Sequence, residues 1–266
     1  TLRPVRDWTV YLLPHSHVDI GYTKVQTEVE ADQVRFLGEA IEESRRTADY
    51  PEGSRFKWNS EVMWAVDAYL RSATLEKRAA LADAVRAGWL GLDALYGNEL
   101  TGLCRPEELA RLTSFACRVR DELQVPVDSA MISDVPGYTW GTVAVFAQSG
   151  VRYFSIGPNR SDRLGTLLTD WGDKPFYWVS PSGQEKVLCW IAAQGYSWFH
   201  GKGGAVGQPA LAPRVDQGGG LQGGRGVAAR LPQISSSNCS QSATLSDSNA
   251  SPAHAGAPFS FRRARR

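Results

Sequence analysis

Cysteine is scarce in this sequence of 266 residues, and long apolar runs are missing. The four cysteines lie far apart and form no CxxC pair, which excludes a zinc ribbon and a disulfide framework and suits a reducing compartment. The longest apolar segments have the length of a strand, so the sequence predicts no transmembrane helix. We therefore expect a cytoplasmic protein without a membrane partner.

Net charge is also nearly absent. The 29 basic residues almost cancel the 28 acidic ones, which leaves a formal charge of +1 at pH 7. Proteins that hold nucleic acids neutralise phosphates with an excess of Lys and Arg, so we expect no nucleic-acid partner. The chain begins at Thr1 with neither an initiator Met nor an apolar signal region, which we interpret as a fragment or a processed product.

Tryptophan and tyrosine are missing from the last part of the chain, because all nine residues of each type lie at or before Trp198. Residues 201–266 are instead rich in Gly, Ala, Ser, Gln and Arg. Such a composition buries too little apolar surface to offset the entropy of ordering the chain. We therefore predict a folded domain at residues 1–200 and a disordered tail at 201–266. The abrupt change of composition suggests an error of reading frame or gene model near residue 200.

Short strand-like runs alternate with helical patterns along residues 1–200. A buried strand is predicted at 8–14, and apolar periodicity predicts a helix at 28–46. Further strands are predicted at 56–58, 89–92, 127–132, 153–156, 176–179 and 186–191, and further helices at 61–70, 73–87, 106–123 and 143–149. This alternation predicts an α/β fold of βα repeats around a mostly parallel sheet, like an incomplete barrel. Sites in such sheets form at the carboxyl ends of strands.

The densest group of chemically active residues follows the first predicted strand, in the order His15-Ser16-His17-Val18-Asp19. Positions two apart share one face of an extended strand, so His15, His17 and Asp19 are expected to project together. Imidazole nitrogen and carboxylate oxygen are ligands that Zn²⁺ accepts at about 2.0–2.2 Å. A polar corner between strand and loop would account for one histidine, but two of the chain's four lie here. The spacing therefore predicts a metal site without naming its reaction.

The stretch HSHVDIGYT at residues 15–23 resembles the motif that opens the catalytic domain of glycoside hydrolase family 38, the zinc α-mannosidases. A second stretch, SDVPGYT at residues 133–139, resembles the family segment whose Asp is both zinc ligand and nucleophile. Residues 56–61 and 89–103 also resemble the family at matching places in the order. The resemblance spans roughly residues 8–200.

The resemblance implies a zinc-dependent retaining glycosidase that hydrolyses α-mannosides. It makes His17 and Asp19 zinc ligands, and Asp134 both ligand and nucleophile. It places His15 just outside the ligand shell, and Tyr22 where other members carry a Trp that forms an aromatic wall under the sugar. In retaining glycosidases one carboxylate forms a covalent glycosyl ester, and a second carboxyl about 5–5.5 Å away serves as acid and then base.

The sequence also departs from the family. Members supply a fourth zinc ligand from a His-Asp pair well beyond residue 200, and no His-Asp pair is present here. The acid/base Asp is not assigned either, since Asp162, Asp170 and Asp173 are typical of solvated loops. We therefore expect this chain to have little mannosidase activity.

Two other functions stay open from the sequence. One is a metal-dependent amidohydrolase or deacetylase, in which the metal would activate water; the resemblance around Asp134 favours the mannosidase. The other is a non-catalytic remnant that binds a metal or a sugar, which the missing ligand and acid favour.

Overall fold

The structure, a computed structural model, describes residues 14–158, 167–192, 196 and 262–263. The helices in these ranges are α1 (Gln26–Arg46), α2 (Met63–Ser72), α3 (Leu75–Arg86), α4 (Pro106–Leu112), α5 (Ser114–Leu123), α6 (Gly141–Gln148) and α7 (Leu167–Trp171). The strands are β1 (His15–Ser16), β2 (Trp58–Ser60), β3 (Leu90–Leu92), β4 (Ser129–Ser133), β5 (Tyr153–Gly157), β6 (Phe176–Val179), β7 (Lys186–Ile191) and β8 (Arg262–Arg263). Apart from Pro14, the strand predicted at 8–14 lies outside the described residues. So does the predicted tail, except for β8.

The sheet is mostly parallel, and its strands follow one another in space nearly as they do along the chain. β1, β2 and β3 pair in parallel, and so do β4, β5 and β7. A parallel bridge between Asp93 and Ser129 joins the two groups. β6 pairs with β7 in antiparallel orientation and has β8 on its other side. The predicted α/β class is confirmed.

Most predicted elements are found with ends displaced by at most two residues. The single helix predicted at 106–123 is wrong, because α4 and α5 are separate helices that meet at Thr113. The buried Thr113 hydroxyl forms a 2.7 Å hydrogen bond with Ser149 Oγ at the end of α6. Threonine hydroxyls compete with the helical hydrogen-bond pattern of the backbone. This tertiary contact therefore accounts for a break where the local sequence favours a continuous helix.

The main core lies between the strands and the helices that cover them. Apolar residues of alternate strand positions are buried there, as in β4, where Ala130 and Ile132 point inward. Phe154 contacts Phe146 of α6 edge to face, with ring centroids 5.0 Å apart. This packing fixes the ends of the strands relative to one another. In the described part of the chain, every helix is too short or too polar to span a bilayer.

A buried carboxylate links the two groups of strands. Asp93 Oδ1 accepts hydrogen bonds from the N–H groups of Leu95 and Met131, both at 3.0 Å. The residue is buried, and Oδ2 has no hydrogen-bond partner among the described residues. Burial raises the pKa of the Asp93 carboxyl well above its ordinary value of 3.8, and the negative charge of Glu61 raises it further. The carboxyl is therefore protonated in the folded state at pH values where the unfolded chain has lost its proton.

We expect the Asp93 carboxyl to make the free energy of unfolding decrease as the pH rises. A raised pKa contributes stability that is present below the unfolded value of 3.8 and is lost as the pH rises through the folded value. In that range the free energy of unfolding should fall by up to about 1.4 kcal/mol per pH unit. Asp93→Asn keeps an Oδ1 acceptor without a titrating proton, so its slope should be smaller. Urea unfolding between about pH 4 and 8 measures the slope. Asp121→Asn, at an exposed position, is the control, and equal slopes for all three proteins would contradict the prediction.

Candidate metal centre

The carboxyl ends of β1 and β4 bring the two sequence motifs together. His15 lies in β1, His17 and Asp19 lie in the loop that follows, and Asp134 comes directly after β4. Asp134 has a left-handed backbone with a φ of +59°, an uncommon conformation for a residue other than glycine. Its N–H donates a 2.9 Å hydrogen bond to the carbonyl of Gly157 at the end of β5. The neighbouring strand therefore fixes the turn that carries the carboxylate.

His17, Asp19 and Asp134 converge, and one donor atom from each lies within 4.8 Å of the other two. His17 Nε2 is 3.3 Å from Asp19 Oδ1 and 3.7 Å from Asp134 Oδ2. Donor atoms around one zinc ion lie roughly 3–4 Å apart. His17 Nε2 is buried and has no hydrogen-bond partner among the described residues. A buried imidazole nitrogen that faces two carboxylates fits a divalent cation, and the donor set suits zinc.

Glu61, to which the sequence analysis assigned no role, is hydrogen-bonded to both histidines. It lies between β2 and α2, and its side chain has no solvent exposure. Its Oε2 is 2.8 Å from His15 Nδ1, and its Oε1 is 2.8 Å from His17 Nδ1. Its one sequence signal was its place at the end of the stretch 56–61 that resembles the family. The sequence analysis placed Glu61 in the predicted helix at 61–70, whereas α2 begins at Met63.

The charges of these groups are strongly coupled. Burial acts to raise the pKa of the Glu61 carboxyl, but the hydrogen bonds and charges of the two histidines outweigh it and hold this pKa at about 2. Burial likewise acts to lower the pKa of His17, and the hydrogen bond to Glu61, with the charges of Glu61, Asp19 and Asp134, raises it above 6.5. Glu61 is therefore ionised at neutral pH, and His17 loses its ring proton less readily than a free histidine does.

Asn98 joins Glu61 to the second motif. Its Nδ2 donates a hydrogen bond to Glu61 Oε1, and its Oδ1 accepts a 3.3 Å hydrogen bond from the N–H of Ser133. Ser133 ends β4 and directly precedes Asp134. One amide side chain therefore spans the distance between the carboxylate behind His17 and the strand that carries Asp134.

The ring of Tyr196 packs against the ring of His17. The two rings have centroids 4.9 Å apart and are tilted by 46°. Gly157 leaves room for this contact, because a Cβ atom at that position would lie 2.8 Å from Tyr196 Cβ. Tyr196 is not among the residues that the sequence predicts for the site.

The other residues predicted for the site lie outside the group of three convergent donors. His15 contacts Glu61 and does not belong to the group of three convergent donors. Tyr22 is 88% exposed in the loop after Asp19. Of the acid/base candidates, Asp170 in α7 and Asp173 are exposed, and Asp162 lies outside the described residues.

Comparison with known proteins shows which family the chain matches. Residues 7–250 match the family model described as glycosyl hydrolases family 38 N-terminal domain. The match includes both motifs and extends to residue 250, beyond the resemblance over residues 8–200. A search of curated proteins gave no match.

Among the solved structures, an alpha-mannosidase from Enterococcus faecalis V583 is 19% identical with a TM-score of 0.53, over 70% of this chain and 20% of that one. A second protein from Enterococcus faecalis, in glycosyl hydrolase family 38, is 17% identical with a TM-score of 0.49, over 68% of this chain and 18% of that one. This chain thus spans about a fifth of the length of these structures. The first of them shares its fold with the present chain. Because the family model covers most of the sequence, the chain belongs to the glycosyl hydrolase family 38 N-terminal domain family.

Proposed function

We propose that this family 38 chain functions as a zinc-dependent, retaining glycosidase of the α-mannosidase type, which hydrolyses α-mannosides. The observation that carries the proposal is the convergence of His17, Asp19 and Asp134 at the carboxyl ends of parallel strands. Family membership supports glycoside hydrolysis. The motif resemblance and the alpha-mannosidase with the same fold support α-mannosides as the substrate class.

In this proposal His17, Asp19 and Asp134 would hold the zinc ion, and Glu61 is hydrogen-bonded to His17 and His15. When bound, zinc would supply positive charge that orients sugar hydroxyls and stabilises negative charge near the reacting centre. The chain's own residues provide a rigid frame, because Asp134 is fixed through its backbone to Gly157 and His17 is fixed through its ring to Glu61.

Asp134 is the proposed nucleophile. Its side chain is 26% exposed and therefore accessible to a sugar. A carboxylate oxygen attacks the anomeric carbon, the glycosidic C–O bond breaks, and the leaving oxygen takes a proton from a separate acid. The resulting ester on Asp134 is hydrolysed by a water that returns its proton to that same group, so the anomeric configuration is retained.

Tyr22 is the proposed sugar-contacting aromatic. Its ring is exposed in the loop that also carries His17 and Asp19. Aromatic faces offer rigid apolar area with little loss of conformational entropy. An exposed ring in this loop suits the apolar face of a pyranose.

Covalent trapping tests the proposal. An activated fluorosugar of α-manno configuration should form a stable ester, and mass spectrometry of the digested protein should place it on the peptide that contains Asp134. Asp134→Asn, which keeps the shape of the side chain, is the matched control and should give no adduct. A metal-dependent amidohydrolase would hydrolyse an amide substrate without forming any ester. Zinc binding with neither adduct nor turnover would identify a non-catalytic remnant.

A further inference from the structure

We propose that Glu61 and Asn98 are positioning residues that select the metal-binding tautomer of His17 and set its distance from Asp134. The inference rests on the proposed metal site and deepens it. It assigns a role to two residues outside the group of three convergent donors. Three hydrogen bonds to one buried carboxylate carry it.

Glu61 determines which nitrogen of His17 carries the proton. Glu61 Oε1 accepts from Asn98 Nδ2 and also lies 2.8 Å from His17 Nδ1, so in this arrangement Oε1 is the acceptor and Nδ1 is the donor. A neutral imidazole has one N–H, and Nε2 therefore keeps its lone pair. This Nε2 is the buried atom that faces Asp19 and Asp134. Carboxylate–histidine pairs of this kind orient metal ligands and fix their tautomer.

The burial of Glu61 indicates a specific role rather than simple packing. Its side chain is completely buried, and removing a charge from water is costly unless hydrogen bonds compensate it. His15, His17 and Asn98 supply that compensation. An apolar residue would fill the same space at lower cost, but it would leave both imidazole Nδ1 atoms without an acceptor.

Asn98 connects Glu61 to the second motif through two hydrogen bonds. The planar amide donates to Glu61 with one end and accepts from Ser133 N–H with the other. Because both bonds use one rigid group, the carboxylate behind His17 and the backbone before Asp134 are held at a fixed separation. The ligands come from segments more than a hundred residues apart in the printed sequence, so their spacing needs such a direct link.

Metal titration of Glu61→Gln tests the role of the carboxylate. A glutamine has one acceptor oxygen and one donor amino group, so it can accept from only one of the two histidines. Affinity for Co²⁺, followed by its visible absorption, and for Zn²⁺ by competition should fall about 10–100-fold. The cobalt spectrum should change as well, since the ligand geometry changes. Glu122→Gln, an exposed position on α5, is the charge-matched control and should bind like the wild type.

Long-range ¹H–¹⁵N NMR of the four histidines gives a readout that does not need the metal. In metal-free wild-type protein at alkaline pH, His17 should carry its proton on Nδ1, and Glu61→Gln should show mixed tautomers. If the wild type binds no metal but shows this tautomer, the proposed function fails and the positioning role stands. If His17 carries its proton on Nε2 in the wild type, the positioning proposal is overturned, whether or not the variants fold.

A double-mutant cycle tests whether the two residues act together. Asn98→Ala should weaken Co²⁺ binding, and adding it to Glu61→Gln should cost less than the sum of the two single effects, because both act through one hydrogen-bonded unit. Circular dichroism confirms that each variant is folded. Strict additivity, or wild-type affinity in folded Glu61→Gln, would contradict the proposal.

Discussion

Replacing Asp134 by Asn should abolish the low turnover expected of this chain on an aryl α-mannoside at saturating zinc. The amide has nearly the shape of the carboxylate but cannot form the glycosyl ester, and it brings no negative charge to the oxocarbenium-like transition state. Loss of one member of a covalent catalytic unit typically lowers kcat by roughly 10⁴–10⁶-fold. Release of the aryl group, measured with wild type and variant at equal folded concentration, gives the ratio.

The control for this prediction is Asp121→Asn, a carboxylate of the same type that is exposed on α5. It should leave turnover unchanged, which separates the loss of a nucleophile from a general effect of charge. Because Asp134 is also a proposed ligand, zinc occupancy of the variant must be measured in the same samples. Activity of Asp134→Asn near that of the wild type, with zinc bound, would contradict the assignment of Asp134 as nucleophile.

Replacing His17 by Ala should weaken zinc binding by roughly 100–1,000-fold, which is the share of one ligand in the free energy that holds structural zinc in a site of four ligands. His17 supplies the nitrogen donor of the convergent group, and its Nε2 faces both carboxylates. Isothermal titration of metal-free protein with zinc measures the loss. Any zinc-dependent turnover should be lost with it, and treatment of the wild type with a chelator should have the same effect.

His15→Ala is the matched comparison, because His15 shares Glu61 with His17 but lies outside the convergent donors. We expect its effect on zinc affinity to be clearly smaller. The affinity of the wild type should also decline as the pH falls, because the raised pKa of His17 makes protons compete with the metal for Nε2. If His15→Ala weakened binding as much as His17→Ala, or if His17→Ala had no effect, the ligand assignment would be wrong.

The candidate site could be predicted from the sequence in part, for a local reason. His17 and Asp19 are two positions apart, so their proximity follows from extended backbone alone. Asp134 joined them in the prediction only through the family resemblance, since spacing along the chain says nothing about a partner that far away. The strands at 176–179 and 186–191 were predicted with their observed bounds, because a turn sequence separates two short apolar runs.

Glu61 and Asn98 could not be assigned roles in the same way. Glu61 is 44 residues from His17, and Asn98 is 35 residues from Ser133, so these contacts exist only once β1 to β4 are side by side. Their residue types are also common on protein surfaces. The division of the helix at Thr113 has the same origin, because its cause is a hydroxyl contact with Ser149 at the end of α6.

The sequence by itself determined the α/β alternation, the extended motif that carries His17 and Asp19, and the chemistry those side chains can offer. These properties depend on neighbours within a few positions, where backbone periodicity and side-chain type are sufficient. Only the tertiary structure decided that Asp134 faces His17, that a buried Glu61 orients both histidines, and that Asn98 connects the two motifs. Parallel strands place the ends of distant segments at one edge of the sheet, and the distances between those ends depend on the packing of the whole core.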